Sequence, residues 1–196
     1  MREKVLAALA ESARLKTEAQ NQADRMIQAA GLIADSFSRG GRLLLCGNGG
    51  SAADSQHLAA EFVNRFQIER PPLPALALTT DTSVLTSIGN DYSFNEVFTK
   101  QIKALGRSGD VIWSLSTSGT SPNVVAALSL ARSMGLSIIA MTGLGGGDMK
   151  MYADVLLEVP STATPRIQEV HITMGHVICE LVDYLLFQRP GEEAGS

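Results

Sequence analysis

Apolar residues recur at three- and four-residue intervals through the first 38 positions: Val5, Leu6 and Leu9, then Met26, Ile27, Ala30, Ile33 and Phe37. That spacing predicts two amphipathic helices, or one bent helix, stopped by Gly40 and Gly41. From residue 42 the pattern changes to short runs that are apolar almost throughout. RLLLCG (42–47), LPALALTT (73–80), DVIWSLS (110–116), LSIIAMTG (136–143) and DVLLEVP (154–160) each read as a buried strand. Between them SVLTSIGND (83–91), FNEVFTKQIKAL (94–105) and SPNVVAALSLARSM (121–134) read as helices, and one long helix runs from about Pro165 to Gln188. Apolar strands alternating with helices predict an α/β fold, a parallel sheet covered on both faces. Ligands of such sheets gather beyond the carboxyl ends of the strands. Three ends stand out here, after Leu45, Leu78 and Leu115. With no internal repeat or linker, residues 1–196 read as a single domain, with an α/β core over 39–188 and a frayed tail over 189–196.

Composition narrows the function. The chain is 45% hydrophobic and 18% charged, enough for a sizeable core, and its net charge of −4 is spread along the chain. No basic stripe marks a nucleic-acid surface. The polar N-terminus does not read as a signal peptide, and no apolar run reaches the roughly 20 residues of a membrane span. Cys46 and Cys179 sit in apolar contexts, which suits buried thiols in a reducing cytoplasm. Two cysteines exclude a Cys-rich zinc site, so any metal must use His, carboxylate and amide ligands.

Two of the strand ends carry distinctive loops. After the first strand comes GNGGS, where Gly47, Gly49 and Gly50 permit close backbone approach to a ligand. Ser51 is expected to cap the next helix, with Asp54 completing a capping box. Neither a P-loop nor a dinucleotide fingerprint fits, and the loop reads equally as a tight strand-to-helix turn. After the third strand comes SLSTSGTSPN, with Ser116, Thr117, Ser118 and Thr120 around Gly119, Ser121 at the expected helix cap and Pro122 at the first helical position. Hydroxyls, peptide N–H groups and a helix N-terminus suit a phosphate held by neutral donors. The loop contains no lysine or arginine.

His57 and Glu61 are four residues apart, so on a helix they share a face, with Arg65 one step further. An exposed polar pair is the simpler reading. Two features favour a site: the helix is otherwise largely apolar, and the other two histidines, His171 and His176, both lie in the apolar C-terminal helix near Gln168. One of those two reads as a core histidine, and spacing does not say which. A carboxylate near a carbonyl carbon can take an α-proton while an imidazole polarises or protonates the oxygen. A His/Glu/Gln/His cluster could instead hold zinc.

Taken together, CGNGGSAADSQHLAAEF, IGNDYSFNEVF, STSGTSPN and RIQEVHITMGH resemble the sedoheptulose-7-phosphate isomerases, or phosphoheptose isomerases, of the sugar-isomerase (SIS) fold. The resemblance spans nearly the whole chain. It implies a flavodoxin-like three-layer αβα sandwich with five parallel strands and an N-terminal helical extension. It further implies a cytoplasmic enzyme that converts sedoheptulose 7-phosphate to D-glycero-D-manno-heptose 7-phosphate through an enediol or enediolate, on the way to heptose for lipopolysaccharide or another glycan. By the same resemblance Glu61 falls on the base and His176 on the acid, while His57, Glu61, Gln168 and His176 fall on a zinc site. Substrate contacts fall on Asn48, Gly49, Gly50, Glu61, Arg65, Asn90, Asp91, Ser116, Thr117, Ser118, Ser121 and Gln168. The family is a homotetramer with sites at subunit interfaces, which would make residues 1–38 oligomerisation helices. The sequence is also similar to replication-initiator-associating (DnaA-type) SIS proteins, a non-catalytic alternative that would lack the base and the acid kept here. A sugar-phosphate-sensing SIS module would need only the serine loop.

Overall fold

The computed structural model describes residues 1–188; the predicted tail over 189–196 lies outside them. Helix α1 (Arg2–Glu18) and helix α2 (Ala23–Ser38) are joined by a 3₁₀ turn. Strand β1 (Leu43–Gly47) leads to α3 (Gly50–Val63), and β2 (Ala75–Ala77) to α4 (Thr82–Asp91) and α5 (Thr99–Leu105). Then follow β3 (Val111–Ser116), α6 (Pro122–Ser133), β4 (Ser137–Thr142), β5 (Val155–Glu158) and α7 (Thr164–Asp183), which continues as a π-helical turn to Gln188. The strands form one parallel sheet in the order β2-β1-β3-β4-β5, the flavodoxin-like order expected of a doubly wound sheet.

Alternation along the strands builds two cores. Leu43, Leu45, Val111, Trp113, Leu115, Ile139 and Met141 face α2, α3 and α7. Leu44, Cys46, Ile112, Ile138 and Ala140 face the α4–α6 side. Cys46 and Cys179 are buried free thiols.

Three elements differ from the sequence reading. Strand β2 is only three residues long, because Pro71, Pro72 and Pro74 deny donors to the ladder just before it. The helix read over 94–105 is broken into a 3₁₀ turn at Phe94–Glu96 and α5. The N-terminal segment does not act as one extension. Helix α2 buries Met26, Ala29, Ala30, Ile33 and Ala34 in this chain's own core, whereas α1 buries only Leu15. Helix α7 with its extension, Thr164–Gln188, is 25 residues long with a mean hydropathy of 1.4, long and apolar enough by length and composition to cross a membrane. That corrects the expectation that no segment reaches this length. In this fold its apolar stripe packs on α1, α2 and α3, as a core helix does.

Of the two C-terminal histidines, His171 is the core residue. It is fully buried, and its Nε2 lies 3.1 Å from the Thr142 carbonyl at the end of β4. Burial pushes its imidazole down from the usual 6.5 to about 4, although the Thr142 bond opposes this. The folded protein therefore keeps His171 neutral between pH 6.5 and 4, while the unfolded chain takes up a proton. Stability is expected to fall with pH across that window by on the order of 3 kcal/mol from this group. Urea unfolding at pH 7 and pH 4.5 checks it: His171→Gln should lose distinctly less stability on acidification than the wild type.

Candidate functional site

The turn after β1 is built by its glycines. A Cβ on Gly47 would stand 2.7 Å from the Ser51 carbonyl and 2.9 Å from that of Leu115, so only glycine fits between α3 and β3. Gly49 takes φ +54° and becomes the helix N-cap. This starts α3 two residues earlier than expected and overturns the predicted capping box. Ser51 lies inside the first turn, buried, and no side chain caps the helix. Asp54 faces the interior side instead. Its carboxyl is raised above the usual range by burial, an effect offset in part by His57 and His176.

Ser121 does occupy the N-cap of α6, with Pro122 following, but its hydroxyl does not cap. It turns to Ser116 Oγ at 3.0 Å, and the Val124 N–H is met by Asn123 Oδ1. Ser118 Oγ stands 3.4 Å from Ser116 Oγ and accepts from the Thr120 N–H. Asn48 and Asn123 exchange a reciprocal pair of amide hydrogen bonds, 2.8 and 2.9 Å, that ties the glycine turn to the serine loop. Asn123 and Thr164 were not singled out from the sequence. Asn123 sits one residue past a Pro that already explained the helix start, and nothing in its spacing points to Asn48.

An open cleft of about 310 Å³ lies between these loops, lined by Asn48, Gly49, Gly50, Ser51, Ser116, Thr117, Ser121, Thr164 and Gln168. Ser118 is exposed just outside this lining. Asn90 and Asp91 do not reach the cleft. They end α4, exposed, and the Asn90 amide donates to the Asp91 carboxylate. Arg65 lies past the end of α3, half exposed and paired with Glu69 at 3.0 Å.

Further along α3 the second cluster forms. His57 Nε2 lies 3.2 Å from Glu61 Oε1 and 2.7 Å from His176 Nε2, and Phe66 stacks on the His176 ring at 5.5 Å. The meeting depends on Gly175, where a Cβ would come within 2.7 Å of the Leu58 side chain. The helices touch at the residues next to His57 and His176. Two imidazole nitrogens and a carboxylate oxygen, all within 4.8 Å of one another, offer three lone pairs to one point. This donor set fits a zinc-like cation with a position left open. Gln168 is eight residues before His176, about 12 Å of helix rise, and its amide lies against Gly50 at the mouth of the cleft.

The chain matches known proteins over most of its length. A model of the SIS domain matches residues 9–143. A phosphoheptose isomerase from Nitratidesulfovibrio vulgaris is 58% identical over 169 residues, 86% of this chain and 81% of that one. One from Burkholderia pseudomallei is 50% identical over 185 residues, 94% of this chain and 90% of that one. The solved phosphoheptose isomerase of Neisseria gonorrhoeae superimposes with a TM-score of 0.87 at 48% identity, covering 93% of this chain and 98% of the other. The chain belongs to the phosphoheptose isomerase family. The matches with these relatives extend well beyond the SIS segment, which ends at residue 143.

Gly50 offers a test of the cleft. Its Cβ would fall on the Gln168 amide, the movable end of a side chain, while alanine in the first helical turn is otherwise favourable. Gly50→Ala is expected to keep its melting temperature and displace Gln168. Binding of a phosphorylated sugar, followed by calorimetry, should weaken about tenfold, as for the loss of one well-placed hydrogen bond.

Proposed function

We propose that the protein interconverts sedoheptulose 7-phosphate and D-glycero-D-manno-heptose 7-phosphate. The observation that carries this reading is the convergence of His57, Glu61 and His176 at one end of the α3–α7 pair, with a hydroxyl-lined cleft at the other. Backbones at the two ends are separated by about 10–12 Å of helix rise, the scale of an extended seven-carbon sugar phosphate. The phosphate is received by Ser116, Thr117, Ser118, Ser121 and the peptide groups of Asn48, Gly49 and Gly50. No lysine or arginine lies among the described residues that line the cleft.

With the phosphate held there, the ketose carbonyl reaches Glu61 and His176. Glu61 takes a proton from C1, the C–H electron pair becomes the C1=C2 bond, and His176 gives a proton to O2. The resulting enediol gives its O1 proton to the deprotonated His176 as the C1 carbonyl forms, and the C1=C2 electron pair takes back onto C2 the proton held by Glu61, which restores both groups. General acid and base groups of this kind contribute roughly 10²–10⁴-fold each. His57, Glu61 and His176 would hold a zinc ion; Gln168, expected from the sequence as a fourth donor, instead lies against Gly50 at the cleft end of the helix pair. When bound, such an ion supplies a Lewis acid that polarises the carbonyl.

The same reading makes the protein a cytoplasmic homotetramer, supported by its free buried thiols and by the apolar face that Val5, Leu6 and Leu9 leave uncovered on α1. Asn90, Asp91 and Arg65, exposed here, would then face the site of a neighbouring subunit. Two measurements decide these points. Purified protein given sedoheptulose 7-phosphate should form the aldose, and Glu61→Gln should lower kcat by at least about 10²-fold with the fold intact; a rate near wild type removes Glu61 as the base. Leu6→Glu with Leu9→Glu should convert the tetramer to smaller species in sedimentation, and an unchanged mass removes α1 from the assembly.

A further inference from the structure

Arg70 lies in the loop between α3 and β2. Its side chain is nevertheless 1% exposed. The guanidinium divides its donors between two helices. Nη2 donates to the carbonyl of Glu61 at 2.7 Å, and Nη1 to the carbonyls of Phe62 at 2.7 Å and of Asn64 at 3.2 Å. These are carbonyls of the last turn of α3, which have no partner within the helix and which a cation at a helix C-terminus favours. On the other side Nε donates to Asp183 Oδ1 at 3.0 Å, and Asp183 is 5% exposed at the end of α7. Asp183 lies seven residues after His176, two turns further along the same stripe of α7. Cys179, on the same helix, is buried: burial pushes its thiol up, the charges of Glu61 and Asp183 add to that, and Arg70 opposes it.

We propose that Arg70 is a positioning residue that fixes the backbone of Glu61 to the helix carrying His176, and so sets the distance between base and acid. This rests on the assignment of Glu61 and His176 made above. A planar fork with five donors can grip two helices at once, whereas a single ammonium cannot. Arg70 touches no substrate. Without its grip the last turn of α3 is free to fray, and proton transfer loses the sub-ångström alignment it needs.

The decisive variant removes both buried charges together. Arg70→Met with Asp183→Leu leaves no unpaired ion in the interior and should fold with a cooperative melt, since apolar replacement of a whole buried pair is tolerated. Its kcat for sedoheptulose 7-phosphate is expected to fall at least about tenfold while KM stays within about threefold, the signature of an interaction that acts on the transition state. Hydrogen exchange over residues 58–66 should rise, with α7 unchanged. A folded double variant with kcat within twofold of wild type overturns the proposal, whatever its exchange. Arg70→Lys keeps the charge opposite Asp183 and should show the same split between kcat and KM. A wild-type kcat there overturns the proposal too, and this variant decides the matter if the double variant does not fold. Glu61→Gln is run alongside: if it retains turnover, the assignment of the base fails, while the exchange data still report whether Arg70 holds the end of α3.

Discussion

One contact between two helices governs the rest: Leu58 of α3 against Gly175 of α7. The missing side chain at 175 lets the helix axes approach, and the neighbouring residues in each sequence are His57 and His176. Any larger residue at 175 must push the helices apart or displace Leu58 from a closed core, where volume is conserved closely. Either would separate two nitrogens that now stand 2.7 Å apart. Groups that share a proton or a metal tolerate much less than that. The glycine thus carries its weight in the core, away from any ligand.

The sheet explains why these two helices meet. The crossover from β1 to β2 and the helix that follows β5 lie on the same face, so α3 and α7 pack side by side over Leu45, Trp113 and Leu115. The opposite face is closed by α4, α5 and α6 and supplies only the serine loop and the start of α6. The site is therefore lopsided. The His57–Glu61–His176 cluster lies on one layer, the glycine and serine loops lie beyond the strand ends, and the Asn48–Asn123 pair locks the two loops together.

Much of this was legible in the chain. Five apolar runs gave the strands, and the i, i+4 spacing put His57 and Glu61 on one face. What failed did so for physical reasons. Helix starts depend on backbone dihedrals, and the φ of Gly49 moved the start of α3 away from Ser51. The roles of His171 and His176 depend on Thr142 and His57, partners 29 and 119 residues away, which no local spacing encodes. Arg70 was passed over because it stands in a run of prolines, while its partner Asp183 lies 113 residues on. Asn90 and Asp91 came from the family resemblance alone and Arg65 also from its spacing after Glu61; all three lie outside the cleft.

The neutral lining of the cleft has a kinetic consequence. Hydroxyls and peptide dipoles attract an anion only at short range, so they do not draw a phosphate in from a distance as a ring of lysines would. The net charge of −4 gives the chain no overall attraction for an anion. On the proposed reading, selection among anions falls to the geometry of the donors, which suits a tetrahedral phosphate ester.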